Sequence, residues 1–522
     1  MTGDDPGAQA GNVVVIMVDQ LAAAWLPSYG HDRVQAPNLS ALAARGVTFE
    51  AAYCASPLCA PSRSAMLAGR RTSRVGVFDN AAELAASVPT LAHHLRAAGY
   101  DTCLAGKMHF VGPDQLHGFE RRLTTDVYPA GLDWTPDWAR PVGDRLPWYH
   151  SMESVLTPAR CVASMQTDFD DEVAFHAVRH LHDLARRDHG SPFLLVVSFT
   201  NPHDPWEIAP RYWDRYNPEQ IGLPSVPKIA LAQADPHSRR LREMCGADEV
   251  ELDADQLRRV RHAYYAAVSY VDERIGEVLA ALQATGLDGK TTIVFTADHG
   301  EFLGERGLWY KMSFLDPSAR VPLIVAPAGA GAGVCGARVR QPVSLLDLAP
   351  TLIELASGPE AVAAADMDGT SLARLLAAPA DGQERDPVIC EYYAEGVTAP
   401  AAMIRAGQYK LIVCRGDPDL LYDLAADPHE LTNLAASPEH ADLLRSLHQG
   451  LAERLDLDHI GRQVLVSQRE RHLIAGALAR GEITPWDYQP HVDVAMQYVR
   501  NRADMYDLQR RARLEVQTTT ED

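Results

Sequence analysis

The 522-residue sequence has little positive charge relative to its negative charge. It contains 48 Lys and Arg residues against 69 Asp and Glu residues, which gives a formal net charge of −21. Proteins that bind phosphate backbones or anionic membrane surfaces need basic clusters to do so. We therefore expect no nucleic-acid partner and no membrane partner.

The sequence also lacks a long apolar segment. Its apolar runs, such as 12–18 and 193–197, are far shorter than the roughly 20 residues that cross a bilayer. The first 12 residues are acidic, and they have neither the basic start nor the apolar core of a secretory signal. These features predict a cytoplasmic protein.

Cysteine is scarce and scattered. The eight cysteines form no C-x-x-C pair and no Cys/His spacing typical of a zinc site. So few cysteines in so long a chain argue against a fold held together by disulfides. The remaining composition, with 47% hydrophobic and 22% charged residues, is ordinary for a globular protein.

Short β-branched runs alternate with helical patterns along most of the chain. The predicted strands are 12–20, 192–203, 291–300 and 321–327, and the predicted helices are 39–46, 88–100, 171–187 and 253–286. This alternation predicts an α/β fold in which a mostly parallel sheet is sandwiched by helices.

The pattern changes near residue 385. We predict a catalytic α/β domain over 1–385 and a small α+β subdomain with an antiparallel sheet over 386–457. Residues 458–522 lack a core-forming period of their own. They are predicted to form an extended C-terminal tail that packs on the body or on a neighbouring subunit.

Three of the predicted strands end in polar side chains. Asp19 and Gln20 follow the first strand, Asp298 and His299 follow a later one, and His203 follows the strand that begins near residue 192. Ligands of such sheets bind at the carboxyl ends of the strands. An oxygen-rich set suits a hard divalent cation, so we expect Ca²⁺, or Mg²⁺ or Mn²⁺, at this edge.

One cysteine lies in a motif. Residues 59–63 read Cys-Ala-Pro-Ser-Arg, and Ser-Ala-Met-Leu-Ala-Gly-Arg follows directly. Pro61 is expected at the first position of a helix, which would place Cys59 just before the helix. Free backbone amides there favour a developing negative charge. The C-x-P-x-R pattern and its continuation resemble the sulfatase family, in which this cysteine is oxidised to formylglycine.

The resemblance implies an alkaline-phosphatase-like fold and an enzyme that cleaves sulfate esters. It also implies that a formylglycine-generating enzyme converts Cys59. The implied metal ligands are Asp19, Gln20, Cys59, Asp298 and His299, and the implied catalytic residues are Cys59, Arg63, Lys107, His109, His203 and Lys311.

The family resemblance also implies a mechanism. A hydroxyl of the hydrated aldehyde, activated by the metal and Asp298, would attack sulfur. Arg63, Lys107 and Lys311 would stabilise charge on the sulfuryl oxygens. His203 or Lys311 would protonate the departing alcohol, and His109 would then take a proton from the second hydroxyl to expel sulfate.

Longer blocks resemble one branch of the family, the choline sulfatases. They are residues 106–126, 127–138, 146–155 and 485–501. The resemblance implies choline O-sulfate as the substrate and a homo-oligomer, either a dimer or a tetramer. The implied substrate-binding residues are Asn80, Trp134, Trp148, His150, Ser151 and Asp504, with Asp487 as the second candidate for the acid that faces the cation.

A quaternary ammonium group has no proton to donate, so aromatic faces and carboxylates must hold it. Trp134 and Trp148 can supply such faces, although ordinary core packing explains a Trp equally well. The position of Ser151 is commonly Asn in the choline sulfatases. The shorter side chain would alter the pocket and bears on strict choline specificity.

Two other functions fit parts of this pattern. A phosphonate monoester or phosphodiester hydrolase would share the fold and the formylglycine, and the choline-type blocks disfavour it. A non-catalytic binder of choline-like cations would have a degenerate site, and the intact motif from Cys59 to Arg63 argues against it.

Overall fold

The structure is a computed structural model. It describes residues 11–128, 130–187, 191–329, 334–380, 382, 385–482, 486, 489–491 and 504. In chain order its strands are β1 (Asn12–Val18), β2 (Val47–Tyr53), β3 (Asp101–Gly106), β4 (Arg121–Arg122), β5 (Ala159–Arg160), β6 (Phe193–Ser198), β7 (Glu207–Ile208), β8 (Thr291–Ala297), β9 (Arg320–Ala326), β10 (Ala337–Val339), β11 (Val343–Ser344), β12 (Val388–Tyr392), β13 (Ala401–Ala406), β14 (Tyr409–Cys414) and β15 (Leu420–Asp423).

Helices lie between most of these strands. In chain order they are α1 (Pro37–Arg45), α2 (Cys59–Ala68), α3 (Thr72–Val75), α4 (Leu91–Ala97), α5 (Glu153–Leu156), α6 (Met165–Ala185), α7 (Pro210–Trp213), α8 (Pro236–Cys245), α9 (Ala254–Ala284), α10 (Asp316–Ala319), α11 (Leu348–Ser357), α12 (Pro359–Ala363), α13 (Ala373–Ala377), α14 (Ala441–Ala452) and α15 (Leu457–Leu478). None of the described helices is long and apolar enough to cross a membrane.

The core of the protein is one large sheet with the order β10-β2-β9-β8-β1-β6-β3-β4, and β11 pairs with β2. Strands β8, β1, β6, β3 and β4 run parallel to their neighbours in that series. In β1 the run from Val13 to Val18 is buried without interruption. Because successive side chains of a strand point to opposite faces, both faces of the sheet are covered. The predicted α/β fold with a mostly parallel sheet is confirmed.

Strand β9 runs against the direction of the others, because it is antiparallel to both β8 and β2. Its buried run from Val321 to Ala326 reads like the parallel strands around it. The hydrophobic pattern records burial on both faces and carries no information about strand direction.

The register of the parallel strands brings the polar strand ends together. Val18 at the end of β1 lies opposite Ala297 at the end of β8, so the residues that follow each strand are neighbours. On the other side of β1, Gly106 at the end of β3 lies opposite Ser198 at the end of β6. Four chain segments therefore leave the sheet at one edge.

The C-terminal part contains a four-stranded antiparallel sheet in the order β12-β13-β14-β15, followed by α14 and α15. A buried ion cluster joins this sheet to the large one. The Lys410 ammonium on β14 donates to the carbonyl of Phe314 at 2.9 Å, to Asp316 at 2.5 Å and to Glu430 at 2.7 Å. The boundaries of the three proposed parts, near 385 and 458, stay predictions.

Lys410→Met should strongly destabilise the protein, because it leaves the buried carboxylate of Glu430 without its cation and leaves half-buried Asp316 with the more distant Arg320, at 3.7 Å. Breaking a buried ion pair from one side costs about 3–5 kcal/mol. The free energy of unfolding from urea titrations measures the effect. Arg445→Met is the matched control, because Arg445 pairs with Asp442 on an exposed surface, and it should change stability by less than about 1 kcal/mol. An equal effect of both variants would contradict the prediction.

Candidate active site

Helix α2 carries the cysteine motif into the centre of the protein. Cys59 is the first residue of α2, and each residue of the helix is buried. The expectation that Pro61 begins the helix, with Cys59 just before it, was wrong by two positions. Proline is tolerated throughout a first turn, because the N–H groups there have no partner within the helix. One of these amides, that of Ala60, donates to Asn80 Oδ1 at 3.0 Å.

Four of the predicted metal ligands form one buried cluster. The ligand atoms of Asp19, Cys59, Asp298 and His299 all lie within 4.8 Å of one another. His299 Nε2 lies 3.1 Å from Cys59 Sγ and 3.6 Å from a carboxylate oxygen of each aspartate. Two carboxylates and one imidazole around residue 59 form a donor set that fits a divalent cation.

Arg63 neutralises the two carboxylates of this cluster. Its Nε donates to Asp298 Oδ2 at 2.8 Å, and its Nη2 lies 3.3 Å from Asp19 Oδ2. Its Nη1 donates to the carbonyl of Lys107 and to Ser198 Oγ. The guanidinium therefore faces the carboxylates and the ends of β3 and β6, and it is fully buried.

The other predicted ligand, Gln20, points away from the cluster. Its side-chain NH₂ donates to Glu301 at 2.6 Å and to Asp204 at 3.2 Å, and its Oε1 accepts from Lys311 at 2.5 Å. Only its backbone N–H contacts the cluster, by donating to Asp298 Oδ1. Its role as a metal ligand stays a prediction.

Lys107 and His109 lie in the loop after β3. The Lys107 ammonium makes a short contact with Asp19 Oδ2 and lies 3.9 Å from Cys59 Sγ. His109 has a left-handed backbone (φ 58°), an unusual conformation that its surroundings must hold. Asp126 does so by accepting from the backbone N–H groups of Met108 and His109.

Lys311 and His203 form a hydrogen-bonded pair on the opposite side of the cluster. Lys311 Nζ lies 2.9 Å from His203 Nε2, and His203 Nδ1 lies 2.6 Å from the carbonyl of Asp204. A carbonyl only accepts, so Nδ1 carries a proton and donates to it, and Nε2 accepts from the ammonium. His203 is thus hydrogen-bonded at both ring nitrogens, with the Lys311 ammonium beside Nε2.

Positively charged side chains act on residue 59. Burial raises the pKa of the Cys59 thiol, but the charges of Lys107, Lys311 and His299 outweigh burial and hold the pKa well below its usual value. Burial and Cys59 also raise the pKa of Asp19, yet the nearby cations hold that pKa low. The site is thus built to stabilise negative charge at this position.

The predicted cation pocket lies next to these groups. The rings of Trp134 and Trp148 stack with a 5° angle between planes, and Trp134 meets His109 with ring centroids 6.2 Å apart. His150 stacks on Tyr310 at 4.3 Å and lies 5.9 Å from His203. Burial and the charge of Lys311 lower the pKa of His150 to about 3, so this ring is neutral at pH 7.

Ser151 is exposed, and its hydroxyl accepts from the backbone N–H of Glu153 at 3.3 Å. Asp504 is an exposed residue whose chain neighbours lie outside the described residues. Asp487 lies outside the described residues. The contributions of these three side chains to the cation pocket stay predictions.

The structure adds an acid that sequence reasoning missed. Glu395 follows β12, is buried, and has one carboxylate oxygen without a hydrogen-bond partner among the described residues. Burial and the negative charge of Asp79 raise its pKa to about 7, and the charges of Lys311 and Cys59 act on it as well. A lone Glu in a turn of the small subdomain carries no sequence signal, because its proximity to Lys311 is created by tertiary packing.

Comparison with known proteins assigns this arrangement to a family. Residues 11–358 match the family model described as "Sulfatase". The chain belongs to the sulfatase family. Residues 304–456 match "N-sulphoglucosamine sulphohydrolase, C-terminal", and residues 462–514 match "Choline sulfatase enzyme C terminal". The protein is therefore a sulfatase, with the C-terminal segment of the choline-sulfatase branch.

Individual relatives agree with this family. The sulfatase is 44% identical to a choline-sulfatase of Rhizobium meliloti, over 95% of this chain and 96% of the relative. It is 29% identical to an arylsulfatase of Clostridium perfringens, over 85% and 94% of the two chains. Among solved structures it resembles a phosphonate monoester hydrolase of Agrobacterium radiobacter, with a TM-score of 0.65, 26% identity, and coverage of 88% and 96%. The alkaline-phosphatase-like fold is confirmed.

Asp298→Asn should weaken divalent-metal binding to this sulfatase, because it removes one of the two negative charges in the cluster. Loss of partners around a metal ligand already costs about 10–100-fold in affinity, and loss of the ligand itself should cost at least as much. Metal content after dialysis, measured by elemental analysis, checks this. Asp272→Asn is the control, since that buried carboxylate binds Asn38 and Leu39 instead. Unchanged metal content in Asp298→Asn would contradict the prediction.

Proposed function

We propose that this sulfatase hydrolyses choline O-sulfate to choline and sulfate. The observation that carries the proposal is that the site places charged groups next to aromatic rings. A buried cluster of charged groups adjoins the half-buried rings of Trp134 and Trp148. The buried Glu395 carboxyl group has one oxygen without a hydrogen-bond partner among the described residues. A zwitterion with sulfate at one end and a quaternary ammonium at the other matches this arrangement. The identity to a choline-sulfatase over nearly the whole chain supports the same substrate.

Asp19, Asp298, His299 and residue 59 are proposed to hold the divalent cation, with Ca²⁺ first and Mg²⁺ or Mn²⁺ as alternatives. The closeness of their buried ligand atoms supports this assignment. When bound, such a metal lowers the pKa of an oxygen nucleophile and polarises the ester. Family membership supports conversion of Cys59 to formylglycine, whose hydrate supplies that oxygen.

The side chains around residue 59 are proposed to have separate roles in catalysis. Lys107 and Lys311 place two ammonium groups where charge develops on the sulfuryl oxygens. Arg63 is proposed to act differently from the sequence-based expectation. Its Nε and Nη1 donate to Asp298, Lys107 and Ser198, and its Nη2 forms an ion pair with Asp19, so it positions the metal ligands. His109 is proposed to take a proton from residue 59 when sulfate is released, and both of its ring nitrogens are buried without a hydrogen-bond partner among the described residues.

The departing alcohol needs a proton, because an alkoxide is a poor leaving group. Lys311 is proposed to donate this proton, and His203 Nε2 accepts a hydrogen bond from the same ammonium. His203 is in turn held by the carbonyl of Asp204 and by the hydroxyl of Tyr128. General acid catalysis of this type contributes about 10²–10⁴-fold.

The quaternary ammonium is proposed to lie against the two Trp rings, with Glu395 as a compensating carboxylate. Asn80, His150, Ser151 and Asp504 complete the proposed pocket. The match of residues 462–514 to the choline-sulfatase C-terminal model supports an oligomerising role for the tail, in a dimer or a tetramer. A cytoplasmic location and maturation by a formylglycine-generating enzyme belong to the same proposal.

A substrate panel tests the proposal. The purified protein should turn over choline O-sulfate with a higher kcat/KM than ethyl sulfate, an aryl sulfate or phenyl phosphonate monoester. Cys59→Ala should abolish turnover, whereas Cys103→Ala should retain it because that thiol is buried in β3. A preference for the phosphonate would favour the phosphonate hydrolase. Activity of Cys59→Ala near that of the wild type would contradict the assignment of residue 59 as the nucleophile. If mass spectrometry finds an unmodified cysteine at residue 59, a non-catalytic binding protein is favoured.

The KM for choline O-sulfate should rise as pH falls. Glu395 has a pKa of about 7, so it is ionised above that pH and loses its charge below it. Between pH 8 and pH 6 its ionised fraction falls by about tenfold, which sets the upper limit of the effect. Glu395→Gln should raise KM at pH 8 and remove the pH dependence. Ethyl sulfate, which lacks the cation, is the control, and a KM ratio of the two esters that is constant with pH would contradict this role.

A further inference from the structure

Helix α15 contacts the segment that carries one wall of the proposed cation pocket. Gln468 Oε1 accepts from the backbone N–H of Trp138 at 3.1 Å, and Arg471 donates to the Thr135 hydroxyl at 3.3 Å. Both side chains of α15 are buried. Thr135 directly follows Trp134, so these contacts hold the backbone segment that carries the Trp134 ring.

The same arginine contacts the segment that carries Asn80, another residue proposed to line the pocket. Arg471 Nη1 and Nη2 donate to the two oxygens of Asp79 at 2.5 and 2.6 Å. Asp79 is fully buried and also accepts from the backbone N–H of Ala81. It directly precedes Asn80, whose side chain accepts from the amide of Ala60, next to residue 59.

One guanidinium therefore joins two segments that are distant in sequence and that are both proposed to line the pocket. Residues 79–80 bring Asn80, and residues 134–135 bring Trp134. A planar guanidinium with two parallel bonds fixes direction as well as distance, which a single ammonium cannot do.

Anchoring of the helix does not by itself require this ion pair. Ile460 and Val464 already pack α15 into the apolar cluster under the small sheet. A buried ion pair is often no more stabilising than apolar residues of similar size. Its distinctive property is that it fixes geometry, and the geometry here belongs to the substrate pocket.

We propose that Arg471 of α15 is a positioning residue that sets the spacing between Asn80 and Trp134 and thereby the fit of the trimethylammonium end of the substrate. This inference rests on the proposed function. Arg471 lies near the start of the segment that matches the choline-sulfatase C-terminal model. That segment would therefore contribute to substrate selection in its own subunit.

Steady-state kinetics of Arg471→Met on choline O-sulfate and ethyl sulfate tests the proposal. The variant should raise KM for choline O-sulfate on the order of tenfold or more, since displaced binding walls lose affinity steeply. Its kcat should change by less than about threefold, and both constants for ethyl sulfate should stay near those of the wild type. Arg469→Met is the matched control, because Arg469 is exposed on the same helix, and it should leave all constants unchanged.

Two further variants separate positioning from folding. Arg471→Lys keeps the charge but cannot bond Asp79 twice and Thr135 as well, so it should raise KM by an intermediate factor. The double variant Asp79→Asn, Arg471→Gln leaves no buried unpaired charge and should raise KM as Arg471→Met does. Thermal unfolding and formylglycine content are measured for each protein.

The outcomes are distinct. A wild-type enzyme that does not prefer choline O-sulfate over ethyl sulfate contradicts the proposed function, before any variant is compared. A wild-type preference that the folded Arg471 variants retain overturns the positioning role alone. Failure of all three Arg471 variants to fold would also overturn it, in favour of a purely structural ion pair.

Discussion

Arg63 places a buried positive charge between Asp19 and Asp298. Carboxylates that are fully buried become neutral unless a cation compensates them, and neutral carboxyl groups bind a metal ion poorly. Arg63 lies one turn after Cys59 on α2, so the two side chains share a face of the helix. The helix thereby delivers the proposed nucleophile and the compensating charge together, at the edge where β1 and β8 end side by side.

Basic side chains gather around residue 59, although the protein is acidic overall. The chain carries a net charge of −21, whereas Arg63, Lys107 and Lys311 are concentrated around residue 59 and are buried. Choline O-sulfate has no net charge, so the acidic surface should steer it only weakly. Recognition must therefore come from contacts inside the site. There, the groups proposed for sulfate come from helix α2, from the loop after β3 and from the segment between β8 and β9, and those proposed for the cation come from loops and from the small subdomain.

Much of the chemistry was readable in the sequence, and the geometry was only partly so. Strand ends with Asp19 and Asp298 could be predicted because buried runs and polar ends leave a clear pattern. The antiparallel direction of β9 could not be predicted, and neither could the orientation of the buried Gln20 side chain away from the cluster, because neither changes that pattern. Glu395 and the Arg471–Asp79 pair were also missed. Their partners are distant in sequence, and isolated charged residues look the same whether they are solvated or buried.

Because α2 is buried, modification of Cys59 and folding of the chain must occur in a defined order. Cys59 is 2% exposed. Asp79, in the segment beside it, is bonded to Arg471 of helix α15, which lies 392 residues after Asp79 in the sequence. Another protein can contact the Cys59 thiol only while the chain is incompletely folded. Any covalent change at this residue that requires a second enzyme therefore competes in time with folding, and synthesis of the distant C-terminal helix marks when that competition can end.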